Sequence, residues 1–596
     1  MLKQAQQFAL SRQLETESIV AREEALDTMD PLVRLLVRRR IAKLERRAEL
    51  LTLHADPQHR ARLAYLLGDG REVALPDDVD SVRTQAEQSR PPDSPGRKGP
   101  WLSALCIAAI LASAGAVFAA RSILKPKRPE TTPAAQLLGQ SLPRFVVAVL
   151  RDDTPLQTEL MTQMTGPLGA ELLGVRSANE LAALLRSTQA LHAGKGSPPT
   201  PLLEAFQNRA VAFDKSLADA TLPFFVDADT ATLEQWPEPV LQSYYVQRES
   251  SATNGATRVR VLQLWRLDKL NVRHRVLGYT RATTPAAIVL LDQVESDLVR
   301  FTLPAASSGG TLELVDANTR TRGEAWVSDV ETQAAKVVGS YYKGLGALSD
   351  SAAKLAELLG RRKELLRKWD ASLRGQGLEL NPPTGLFADA DLTKVLGLRV
   401  PRAEREEWDA IEDELHERMP SFEALRDRFV LGVERHEVQH RLDYQRGLIP
   451  VPASLCGWLG LENPLDAPLG GLAARARDET SAYLAELTRN EDSPLLELVI
   501  LSNFVLDQQA RNAPYTYAAL AVYAALAKAL GIDVDAVLGR SISRQRFARL
   551  AVELWSRPPD ELREAARRAY LAEFGVELPS VKRENGHENA RYRPEP

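Results

Sequence analysis

Residues 426–447 read RDRFVLGVERHEVQHRLDYQRG and contain His436-Glu437-Val438-Gln439-His440. Pro420 and Ser421 supply a breaker and a cap upstream, and Gly447 closes the run, so one helix is predicted across it. Its inward stripe is Phe429, Val433, His436 with Glu437, His440 and Tyr444. Two histidines four residues apart lie one above the other on a helical face, about 6 Å apart at Cβ, so both imidazoles reach one ion. Glu437 stands beside the same ion, where it can take a proton from a metal-polarised water. The pattern points to zinc-assisted hydrolysis, with His436 and His440 as ligands and Glu437 as the base. Two of only eight histidines are spent on it, and charged Glu434 and Arg441 flank it.

Catalytic zinc takes three protein ligands and a water. With only two cysteines in the chain, Cys106 and Cys456, a four-cysteine site is excluded and any metal must rest mainly on histidine and carboxylate. The metzincin pattern needs a glycine where the chain has Asp443 and a histidine where it has Arg446, which excludes it. What remains is a carboxylate from a later helix. The segment ARARDETSAYLAELTRN (474–490) places Glu479 on the stripe Leu472, Ala476, Glu479, Tyr483. A carboxylate on an apolar stripe is costly unless paired or metal-bound. Small Ala476 and Ala482 would let the two helices approach. Asp478, Glu486 and Glu497 compete for the role.

A donor to the developing oxyanion is also needed. Tyr483 and the tyrosines of NAPYTYAALAVYAALAKALG (512–531), above all Tyr515 and Tyr523, are candidates; packing is the plainer reading of an aromatic on an Ala-rich helix. Asp443 either orients a ligand imidazole or pairs with Arg446 along the helix.

His436-Glu437-x-x-His440-x-Leu442-Asp443, followed by Gly447 and Pro450, resembles the local motif of the Mlc titration factor family of gluzincin aminopeptidases. The likeness covers residues 436–450, with a looser match at Glu479-Thr480-Ser481-Ala482, the Glu-x-x-Ala pattern that carries the third ligand in several gluzincin families. It implies a metallopeptidase fold around the helix and a zinc-bound water.

Around this centre, 596 residues exceed what one hydrophobic core supports, so several folded units are expected. A net charge of -4 offers no global case for nucleic acid as a partner. Trp101–Ala120 is free of charge for a length of about 30 Å as a helix, a bilayer's hydrocarbon thickness, with Arg121, Lys125, Lys127 and Arg128 behind it. It predicts a single-pass anchor in an inner or plasma membrane, N-terminus inside and C-terminal region outside; the alternative is a buried Ala-rich helix. Gly115 and Ala119 would let two such helices pack as a homodimer.

The expected order is a helical region at 1–72, a linker at 73–100, the transmembrane helix at 101–120 and a linker at 121–139. A mixed α/β domain follows at 140–329, then a mainly α-helical, zincin-like domain at 330–578 and a disordered tail at 579–596. In the α/β domain, FVVAVL (145–150), PFFVD (223–227), QSYYVQ (242–247) and VRVLQLWRL (259–267) read as strands. NELAALLRSTQALHAG (179–194) and AAIVLLDQVESDLVRF (286–301) read as helices. The function expected is a membrane-anchored zinc metallopeptidase acting on peptide or protein substrates. The competing expectation is a non-catalytic tethered scaffold or regulator whose motif is structural or degenerate.

Overall fold

The computed structural model describes residues 132–588 apart from short internal stretches, the longest being 375–384 and 460–470. The expected N-terminal helical region, both linkers up to residue 131 and the 101–120 run lie outside the described residues.

Helices from Pro133 to Asp219 form the first layer. A curled sheet follows, built from β1 (Phe224–Leu233), β2 (Trp236–Asn254), β3 (Thr257–Arg266), β4 (Gly278–Tyr279) and β5 (Ala286–Leu290). The order is β1-β2-β3-β5-β4; β3 and β5 run parallel and the other pairs antiparallel. The long β2 carries β1 along one half and a last strand, β6 (Lys582–Glu588), along the other. The rest of the chain is helical.

Two expected elements change type. FVVAVL lies in the helix Leu142–Leu150, because Leu142, Phe145, Val146 and Val149 make one apolar stripe buried in the first layer's core. A short apolar run alone does not distinguish that stripe from a strand. AAIVLLDQVESDLVRF divides: Ala286–Leu290 is strand β5, and the helix begins at Leu291. β5 is covered on both faces, Ala287 against the helix bearing His436 and Ile288 against Phe225 and Leu264, so it carries no polar alternation.

The tail is also corrected in part. Lys582–Glu588 is β6, tied to β2 by its ladder and by a hydrogen bond from Ser251 Oγ to Glu584 at 2.7 Å. Sheet and helical region share one core, in which Val289, Leu291 and Val294 pack with Phe429 and Val433.

The membrane expectation is corrected as far as the described residues reach: among them no helix is long and apolar enough to cross a membrane, and the 101–120 run lies outside them. The 28-residue helix Met419–Arg446 is long but rich in charge. The very apolar helix Pro494–Leu506 has 13 residues, about 20 Å. The observed architecture is mainly helical with a curled sheet in its middle, and the homodimer expected through 115–119 concerns residues outside the described ones.

Candidate metal centre

The helix Met419–Arg446 (the His helix) is clamped from two sides. Val438 and Leu442 pack on Ala252, Val259, Val261 and Ala287 of the sheet. On the other side lies Leu472–Leu487 (the Glu helix), beside a glycine gap. A Cβ at Gly432 would stand 3.0 Å from Glu486 Oε1 and 3.2 Å from Glu497 Oε1, so glycine there makes room for two carboxylates.

One turn further along, between the two helices, the expected ligands converge. His436 Nε2 and His440 Nε2 are 3.2 Å apart, and Glu479 Oε2 is 3.2 Å from His436 Nε2. Glu479 Oε1 is 3.8 Å from His440 Nε2, and one ligand atom from each residue lies within 4.8 Å of the others. Zinc bonds of about 2.0–2.1 Å at tetrahedral angles require ligand atoms about 3.3–3.4 Å apart. The donor set, two imidazoles and a carboxylate, and its spacing both fit zinc.

The protonation states are set by burial and by neighbours. Burial pushes His440 down to about 4, so its ring is neutral at pH 7 and keeps a lone pair for a metal. Burial also opposes charge on His436, but hydrogen bonds to Glu479 and Glu486 outweigh it and carry the ring well above its ordinary value. Glu479 is held below the usual carboxylate range, its own burial being overcome by the hydrogen bond to His436. Proton and metal therefore compete for His436 Nε2.

Glu486, expected as a rival ligand, does something else. Its Oε2 lies 3.1 Å from His436 Nδ1, where it accepts that proton and turns Nε2 toward Glu479 and His440. Asp478 is drawn off by Arg477 at 2.7 Å. Glu497 stands one helical turn before the ligands, by Gly432.

Glu437 lies on the sheet side, under β4. Thr280 Oγ1 donates to Glu437 Oε2 at 2.9 Å and also approaches the Glu437 carbonyl at 3.1 Å. A Cβ at Gly278 would come 2.8 Å from Glu437 Oε1 and 2.5 Å from Ile288 O, so only glycine lets the carboxylate lie against the strand. Burial pushes the Glu437 carboxyl up to about 8, although His436 beside it pulls the other way. An acid tuned near neutrality suits a group that must take and return a proton. Gly278 and Thr280 carry no local signal in the sequence, because their value comes from Glu437, which for Thr280 is 157 residues away.

No family model, characterised protein or solved structure matches this chain.

The remaining expectations separate. Asp443 touches neither an imidazole nor Arg446 through a hydrogen bond. It accepts from Gln439 Nε2 at 2.8 Å and Ser481 Oγ at 2.6 Å, with Tyr570 Oη against both of those side chains. It locks the His helix to the Glu helix rather than orienting a ligand. Tyr483 sets its ring edge against His436, centroids 4.6 Å apart, and Tyr515 stacks on Phe504 at 5.4 Å. Tyr523 leaves the candidate list: it is fully buried, donates to Leu498 O at 2.7 Å and accepts from Trp555 Nε1. Tyr444, expected to point inward, is 43 % exposed. Its hydroxyl reaches Thr280 O at 3.5 Å, and burial with the charges of Asp478, Glu479 and Glu437 pushes it up to about 12.

The charged flanks are ties. Glu434 binds Gln263 at 2.7 Å and Arg583 of β6 at 3.0 Å. Arg441 donates to the carbonyls of Arg281 and Thr284, just beyond β4.

Proposed function

We propose that this chain is a gluzincin-type zinc metallopeptidase that hydrolyses peptide bonds. The observation that carries the reading is the triangle of His436 Nε2, His440 Nε2 and a Glu479 oxygen, with buried Glu437 alongside it beneath an edge strand. Bound there, zinc would supply Lewis acidity for water and for the scissile carbonyl. The chain's own residues do the rest. Glu437 takes the proton of the attacking water and returns it to the leaving amine, while Thr280 keeps its carboxylate in place. Glu486 fixes the tautomer of His436. Among the described residues β4 ends the sheet, so an extended peptide has backbone groups to pair with next to the base.

One observation favours a second reading. A protonated His436 between Glu479 and Glu486 satisfies all three groups without metal, which suits a non-catalytic scaffold or regulator. Metal analysis of the purified chain, with cleavage of a mixed peptide pool before and after chelation, separates the two. About one zinc per chain and chelator-sensitive cleavage are expected. A chain free of zinc after equilibration with it, and inert toward peptides, would sink the peptidase reading.

A further inference from the structure

Five residues from His440 to Tyr444 take the His helix from a sealed interior to solvent. His436, Glu437, His440 and Asp443 are buried, whereas Tyr444 is 43 % exposed. It stands one helical turn after His440, on the side where β4 ends. Thr280 links it to the base, since Thr280 holds Glu437 through its hydroxyl and meets the Tyr444 phenol through its carbonyl. The 3.5 Å contact is at the outer limit of a hydrogen bond, so little is lost when the phenol turns to another acceptor.

The rings of the other candidate donors are more covered. The Tyr483 ring is wedged between His436 and Phe504, and Tyr515 is stacked on Phe504; both are less exposed than Tyr444. Tyr523 is committed to Leu498 and Trp555. Arg441 spends its guanidinium on two backbone carbonyls.

We infer that Tyr444 is a catalytic residue that donates its phenolic hydrogen to the oxyanion developing on the scissile carbonyl, an inference that rests on the peptidase reading above. The phenol is solvent-accessible and lies where the edge strand meets the site. In the ground state it waits on Thr280 O; as the carbonyl oxygen gains charge, the hydrogen bond transfers to it. The phenol keeps its proton throughout. Removing one such donor typically costs about 10²–10³ in kcat.

The test uses the full chain with Tyr444→Phe, and Tyr483→Phe and Tyr515→Phe as comparators. Zinc content, kcat and KM on a peptide that the parent cleaves, and inhibition by a phosphonate analogue of that peptide, are read for each. Tyr444→Phe should keep its zinc and its KM, lose about 10²-fold in kcat, and bind the phosphonate more weakly by a similar factor. Parent-like kcat in Tyr444→Phe overturns the inference, as does loss of zinc, which would make the residue structural. A kcat loss confined to Tyr483→Phe or Tyr515→Phe moves the donor there and overturns it equally. A parent that binds no zinc and cleaves no peptide takes down the peptidase reading and this inference with it, and that result is seen before any variant is made.

Discussion

Two buried histidines of this chain are each held between two carboxylates, and only one of them lies in a cluster that could hold a metal ion. His192, in the first helical layer, meets Glu238 through Nδ1 at 2.6 Å and Asp152 through Nε2 at 3.3 Å. His436 meets Glu486 through Nδ1 at 3.1 Å and Glu479 through Nε2 at 3.2 Å. Around His192 the charges close on themselves: Lys195 pairs with Glu238 at 2.8 Å, and the Asp152 side chain is 87 % exposed. At His436 a second imidazole comes within 3.2 Å of the same nitrogen, and a buried glutamate stands beside it. A carboxylate–histidine–carboxylate arrangement by itself ties elements together. The second imidazole, that of His440, is neutral and adds what a metal needs, a lone pair that no proton claims at pH 7.

The largest expected effect tests that contrast directly. His440→Ala should abolish zinc binding, whereas His192→Ala should leave the zinc stoichiometry untouched and cost about 1–3 kcal/mol of stability from the buried partner left behind. Metal analysis and denaturant melts of both variants check it; equal zinc loss in the two would erase the distinction.

Next comes the base. Glu437→Gln keeps the shape and the Thr280 hydrogen bond but removes the proton acceptor. Zinc should stay while peptide cleavage falls by orders of magnitude. Cleavage at the parent rate would remove Glu437 from the mechanism.

The carboxylates on the Glu helix should then grade themselves. Glu479→Gln loses a ligand and should weaken zinc affinity most. Glu486→Gln loses the partner that orients His436 and should cost about 10–100-fold. Asp478→Asn, held by Arg477, should change little. Zinc titrations rank the three, and Glu486 matching Asp478 would show that the His436 Nδ1 contact is idle.

The smallest effect is on stability against pH. Burial pushes Asp443 up to about 6, above its ordinary value near 4, so folding favours its protonated form. That contribution is full below about pH 4 and is lost as pH rises through about 6, on the order of 3 kcal/mol. Asp443→Asn should flatten this slope. An unchanged slope would mean that the Asp443 carboxyl is not raised.

The fold and the site differ in how much of each could be read before folding. The His helix and the Glu helix were legible because helical periodicity is local: Phe429, Val433 and His436 repeat on one face, as do Ala476, Glu479 and Tyr483. β5 was misread because a strand covered on both faces has no alternation to display. Tyr444 was misassigned to the interior because periodicity gives the face of a helix but not where the neighbouring elements stop covering it.

From the sequence alone came the helical positions of His436, Glu437, His440 and Glu479 and the chemistry their residue types permit, since both follow from spacing along one backbone. Tertiary structure alone decided how Glu486, Gly432, Gly278 and Thr280 take part. It also turned part of the expected tail into β6, through Arg583 on Glu434 and the ladder to β2. The physical reason is common to these cases. β4 is two residues long and has no period of its own, and each partner that gives these groups a role is brought to them only when helices and sheet pack together.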